Sequence, residues 1–232
     1  MKKIFLFALL FASFFCYAQK AKPVPVKKPV AKTVPKPAVK PDTNFTIPLM
    51  VKKEDGEMYY YDLKKGDQLV YHVNAMGQEY DFIVTLNHYS YASGIDFNYE
   101  MTAPANKQGH VSISPKAKAS SRKYHNYFSG GELKLTDATT VWFCDDNFGD
   151  MPKKKTTLTI DNDAPEIFYR PAKDEVMPVI NVKGKEMPVE GFIVNNKADG
   201  SGDKTMWIHG ISSNPLILKM DLGWTIELKE IR

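Results

Sequence analysis

Between residues 67 and 101, apolar side chains recur at every second position in three successive runs. Leu69, Tyr71 and Val73 form the first run, Tyr80, Phe82, Val84 and Leu86 the second, and Ile95, Phe97, Tyr99 and Met101 the third. Polar partners such as Asp81, Thr85, Asp96, Asn98 and Glu100 occupy the alternate positions. An extended chain turns successive side chains to opposite faces, so period two means half-buried strands. One-sided patterning also favours antiparallel sheet over parallel sheet buried on both faces. Residues 74–78 are short enough for a hairpin loop, with Gly77 supplying positive φ. Residues 87–93 read as a longer, Tyr-rich connection.

More strands follow this seed. Residues 109–114, 124–128, 130–135, 139–143, 156–160, 166–170, 176–182, 187–195, 204–209, 215–220 and 223–231 all read as short strands. Residues 115–123 read as one helical turn or a basic loop, and 145–155 as a turn-rich break. The expected fold is all-β: an antiparallel, strongly curved sheet, open barrel or sandwich of about ten or more short strands.

The N-terminal region has a different character. Lys2 and Lys3 precede an apolar run over residues 4–15, and Cys16-Tyr17-Ala18 closes it with small residues. This is the pattern of a secretory signal peptide over residues 1–18, cleaved after Ala18. The run is too short for a stable bilayer span. Lipidation at Cys16 is disfavoured, because Phe14-Phe15 stands where a lipobox has a small residue. Residues 19–42 are rich in Lys and Pro, with little apolar surface to bury, which implies an extended, solvated linker. Such an arm suits contact with anionic envelope polymers, or simply spaces the domain from its neighbours.

Charge follows the same division. The chain carries +4 in all, but residues 1–18 hold +2 and the linker +6, leaving −4 on residues 43–232. A mildly acidic domain lacks the basic footprint of nucleic-acid binding, and none is expected. Residues 43–232 suit a single all-β domain, large enough to be stable without disulfide or metal. After cleavage Cys144 is the one remaining cysteine, so no internal disulfide framework is expected.

Candidate chemistry is sparse. Cys144 precedes Asp145-Asp146, acidic neighbours that oppose thiolate formation, and reads as an inert thiol. His72, His88, His110, His125 and His209 show no metal-ligand spacing. The loop at residues 199–203 alternates oxygens as calcium loops do, but lacks the later glycine and glutamate. No phosphate-cradling, dinucleotide or nucleophile-elbow motif is present. No cofactor, metal or catalytic residue is expected. The remaining signal is aromatic: Tyr71, Tyr80, Phe82, Phe97, Tyr99, Trp142, Trp207 and Trp224 are the candidates for a ligand groove, weighed against plain core and cross-strand packing.

Several short motifs occur in a suggestive order. They are Gly66-Asp67-x-x-x-Tyr71, Tyr99-x-Met101-x-x-Pro104, Phe128-x-Gly130-Gly131-Glu132, the run at 139–143, Asn214-Pro215-Leu216-Ile217-Leu218 and Trp224-x-Ile226-x-Leu228. In this order the chain resembles a family of secreted or periplasmic β-domain proteins from Bacteroidetes-type bacteria, related in plan to a broader domain-of-unknown-function family of envelope proteins. That family implies no activity to carry over. Its plan is similar to curved sheets of the lipoprotein-carrier type, an analogy of fold alone. The functional expectation is an exported, non-enzymatic envelope protein that binds a lipid-like ligand or an envelope protein on a concave sheet face. The alternatives are a scaffold or adhesin-like module without a small ligand, and an envelope hydrolase.

Overall fold

The computed structural model describes residues 44–53 and 55–232; the leader and linker expected at 1–18 and 19–42 lie outside the described residues. The chain opens with β1 (Thr46–Lys52), β2 (Met58–Lys64), β3 (Gln68–Ala75), β4 (Gln78–Ser90), β5 (Gly94–Met101) and β6 (Lys107–Ile113). It continues through α1 (Pro115–Ser120), β7 (Lys123–Tyr124), β8 (Gly131–Leu135) and α2 (Asp145–Gly149). Then come β9 (Lys155–Ile160), β10 (Glu166–Tyr169), β11 (Glu175–Val176), β12 (Val179–Val182) and β13 (Lys185–Pro188). The last strands are β14 (Gly191–Asn195), β15 (Thr205–His209), β16 (Ile217–Asp221) and β17 (Thr225–Ile231). Strand outweighs helix by 55% to 7%, so the fold is all-β as the alternation implied.

Fifteen strands form one sheet, and β1 and β2 form a separate hairpin. The main path runs β7-β9-β10-β14-β15-β16-β17-β3-β4-β5-β6-β8 and does not close into a barrel. The sheet is mixed rather than purely antiparallel. β6 with β8, β7 with β9, and β12 with β17 pair in parallel. Parallel neighbours need a crossover connection, and α1 with β7 supplies the one between β6 and β8.

Register shows which residues share a face. Val194, Met206, Met220, Ile226, Val73 and Tyr80 lie opposite one another across β14, β15, β16, β17, β3 and β4. The neighbouring row is Leu228, Tyr71, Phe82 and Met101. Directly paired residues project to the same side of a sheet. Members of both buried apolar clusters therefore share one inner face, and Ile226 packs against both.

Three local features depart from the sequence reading. The β3–β4 hairpin turns on Met76 and Gly77 alone, at φ 53° and 73°, rather than on a five-residue loop. Two positive φ values give the turn the twist of its strands, so pairing extends to Ala75 and Gln78. β4 runs on to Ser90 because a bulge between Leu86 and His88 resets the alternation and buries His88. The strand expected at 139–143 is reduced to isolated bridges from Thr139 and Trp142, because Val141 adopts φ 63°.

The helices are short and locally specified. Ser114 caps α1, its Oγ accepting from the Ala117 N–H at 3.1 Å, and Pro115 follows at the first helical position. Lys118, 1% exposed, points from α1 to α2, where both Asp145 oxygens accept from its Nζ at 2.9 Å. The same ammonium lies 3.9 Å from the Tyr91 ring centre. Burial raises the Asp145 pKa, and the Lys118 ammonium opposes that rise.

Candidate functional site

The two inner-face rows form the floor of a pocket of about 360 Å³. Tyr71, Phe82 and Met101 come from one row, and Ile226, Val73 and Tyr80 from the other. The roof is the irregular segment around residues 124–128, with Thr140 and Val141. Ile217 and Trp224 also line the pocket, as do Ala75, Met76 and Gln78 at the β3–β4 hairpin end. This size lies at the lower end of the range for small-molecule sites, and the lining is mostly apolar and aromatic, as in such sites.

The roof is held down by side chains that recur in the floor. Phe128 packs on Phe82 with ring centres 4.6 Å apart and on Tyr99 at 4.9 Å. The Tyr99 hydroxyl accepts from the Gly130 N–H at 2.9 Å, just past the roof. The Tyr124 hydroxyl accepts from the Val141 N–H at 2.9 Å, and the Val141 carbonyl accepts from the Ile217 N–H at 2.9 Å. A β-branched residue in the left-handed region costs on the order of 1–3 kcal/mol, sustained only where its surroundings over-determine it. Here those bonds hold the kink, and the kink sets Thr140 and Val141 in the pocket wall.

Two of the pocket's tyrosines, Tyr71 and Tyr124, are structural phenols. The Tyr71 hydroxyl donates to the Ile217 carbonyl at 2.9 Å, and burial pushes its pKa well up. Burial likewise raises Tyr124, against the opposing bond from Val141. Asp161 is the one charged residue in the lining among the described residues, with an Oδ1 that accepts from the Asn126 N–H at 2.7 Å.

Of the eight aromatics expected to line a groove, Tyr71, Tyr80, Phe82 and Trp224 do so. The other four do not. Phe97 and Trp142 are fully buried, their rings 5.8 Å apart in the core. Tyr99 lies beneath the roof against Phe82 and Phe128. Trp207 alternates with the inward-facing Met206 and Ile208, and takes the Lys219 ammonium 4.8 Å from its ring centre. The roof residues Asn126 and Phe128 and the wall residues Val141 and Asp161 were not anticipated. Their one local signal is the aromatic run Tyr124-His125-Asn126-Tyr127-Phe128, which propensity alone reads as a strand.

The remaining candidate groups are occupied elsewhere. Cys144 is fully buried, its Sγ 3.3 Å from the Ala119 carbonyl, and burial pushes its thiol pKa up. Asp199 accepts from the N–H and hydroxyl of Ser201, and Asp203 from the Asn196 amide. His110 lies between Asp96 at 2.8 Å and Glu132 at 3.2 Å, away from the pocket. Among the described residues, no group of three or more His, Cys, Asp or Glu side chains is arranged to hold a metal ion. Comparisons of the chain with protein-family models, curated proteins and solved structures returned no match.

Proposed function

We propose that this is an exported, non-enzymatic protein of the cell envelope that binds an amphipathic ligand in the inner-face pocket. The observation that carries the reading is the pocket: an aromatic-walled cavity whose lining includes two strongly exposed apolar side chains, Met76 and Tyr127. Exposed apolar groups beside an apolar cavity suit a ligand delivered from a membrane or another protein. The signal-peptide pattern and Lys/Pro-rich tether support the location.

Size sets the scale of the ligand. At about 30 Å³ per water-sized group, the cavity takes about a dozen non-hydrogen atoms. At about 0.8 kcal/mol per buried methylene, such a chain gains on the order of 10 kcal/mol. Association costs at least about 4 kcal/mol of this, leaving at most about 6 kcal/mol, an affinity of tens of micromolar or weaker.

The test uses the environment-sensitive probe N-phenyl-1-naphthylamine, whose naphthyl group fits the cavity while its phenyl ring extends past the exposed Met76 and Tyr127, titrated into the full chain with Ala75→Trp as the blocked variant. Ala75 is half-buried in the wall, so an indole there fills the cavity without removing core packing. Binding in the range of tens of micromolar by the wild type, weakened at least about tenfold by the variant, is the expected result. No binding, or equal binding by both proteins, would overturn the reading.

A further inference from the structure

Three buried side-chain polar atoms have no hydrogen-bond partner among the described residues: Asn126 Nδ2, Thr139 Oγ1 and Asn147 Oδ1. Of these residues, only Asn126 lines the pocket. Leaving a buried donor unpaired costs about 1–3 kcal/mol, which a ligand oxygen would recover once the half-buried Asn126 side chain turns towards the cavity. Beside it stands the Asp161 carboxylate, which already accepts from the Asn126 N–H and lines the same cavity. One end of a mostly apolar pocket thus presents an amide and a carboxylate.

The charge around that end is one-sided. Among the described residues, no Lys, Arg or His lines the pocket. Two basic groups close by are already engaged. His125 Nδ1 lies 3.9 Å from Asp161 Oδ1, while its Nε2 bonds the Tyr127 carbonyl. The Lys107 ammonium lies 5.4 Å from the Tyr127 ring centre, outside the lining. An anionic head would meet the Asp161 carboxylate with no cation in the described lining to offset the repulsion. A cationic head would pair with Asp161 but leave the Asn126 amide donor unmet. An uncharged head carrying both an acceptor and a donor satisfies both residues, and the donor–acceptor edge of Asn126 suits such a head in either amide orientation.

Resting on the pocket reading above, we infer that the pocket selects a medium-length acyl or alkyl chain with an uncharged donor–acceptor head, such as a primary amide or hydroxyl, read by Asn126 and Asp161. Free fatty-acid anions are the class it rejects.

The experiment displaces N-phenyl-1-naphthylamine from the full chain with four ligands of one chain length: decanamide, 1-decanol, decanoate and decylamine, near neutral pH. Decanamide and decanol should compete at least about tenfold more strongly than decanoate. Asp161→Asn keeps the acceptor for the Asn126 N–H and removes the charge, so decanoate should gain while decanamide changes little. Asn126→Ala should weaken decanamide towards decanoate, read as the ratio of the two displacement constants. Equal competition by all four ligands overturns head-group selection while the pocket reading stands. Decylamine as the strongest competitor overturns it in favour of a cationic head. A probe that never binds removes the pocket reading and this inference with it.

Discussion

Two places in this molecule take polar side chains out of water, and they are built in opposite ways. At the β15–β16 corner, His209 and Asn214 are both fully buried, and each of their side-chain polar groups has a partner. His209 Nδ1–H donates to the Asn214 carbonyl at 2.7 Å, and Nε2 accepts from the Met50 N–H at 2.9 Å. The Asn214 amide donates to the Pro48 carbonyl at 3.0 Å and accepts from Trp142 Nε1–H at 3.0 Å. The corner latches β1 to the body of the fold. At the pocket end, Asn126 keeps a buried donor unspent beside an acidic wall. A saturated polar network specifies structure, whereas an unsaturated one lining a cavity is open to a ligand.

The comparison breaks most readily at the latch. Asn214→Ala strips partners from Trp142 Nε1 and the Pro48 carbonyl at once, leaving two buried groups unpaired. A stability loss of about 3–4 kcal/mol is expected, read as a lower urea midpoint with the slope unchanged. A loss below about 1 kcal/mol would mean that the corner does not hold β1.

Acid should reach the same corner. Burial lowers the His209 pKa from 6.5 to about 4, so the folded chain holds this imidazole neutral where the unfolded chain protonates it. The unfolded state binds more protons between these values, so the contribution is complete above pH 6.5 and is lost as pH falls towards about 4. The full loss is about 3 kcal/mol. His209→Gln should flatten that part of the stability–pH curve; an unchanged acid limb would assign it to other groups.

The smallest effect, opposite in character, is expected at Asn126. Its side-chain nitrogen gives up no protein bond on removal, so Asn126→Ala should leave stability unchanged or raise it by at most about 1 kcal/mol. A loss above about 2 kcal/mol would make Asn126 a structural group like Asn214 and erase the distinction.

Legibility differed between the floor and the roof of the pocket. The floor was readable because Tyr71, Phe82 and Met101 each sit in an alternating run, and alternation depends only on strand geometry. The roof was not. Val141 lies in an apolar run that reads as a strand, yet it is held at φ 63° by Tyr124 and Ile217, far away in sequence. Among the expected aromatics, Phe97 and Tyr99 belong to the same alternating run as Met101, yet only Met101 lines the cavity. Alternation distinguishes the inner face from the outer one, but not filled positions from open ones along it. Trp207 fell outside because its neighbours Met206 and Ile208 took the inner face.

By itself the sequence determined that the folded part is an all-β sheet with an apolar inner face, because side-chain periodicity is a local property of the backbone. Tertiary structure alone decided that fifteen strands share one mixed sheet and that Ile226 joins its two apolar clusters. It alone placed Asn126 and Asp161 at one end of the cavity left between floor and roof. The physical reason is distance along the chain. A cavity exists where covering segments fail to fill a surface, and here the floor comes from β3, β4, β5 and β17 while the cover comes from residues 124–141 and 161. Their meeting depends on register and long-range bonds that no local pattern encodes.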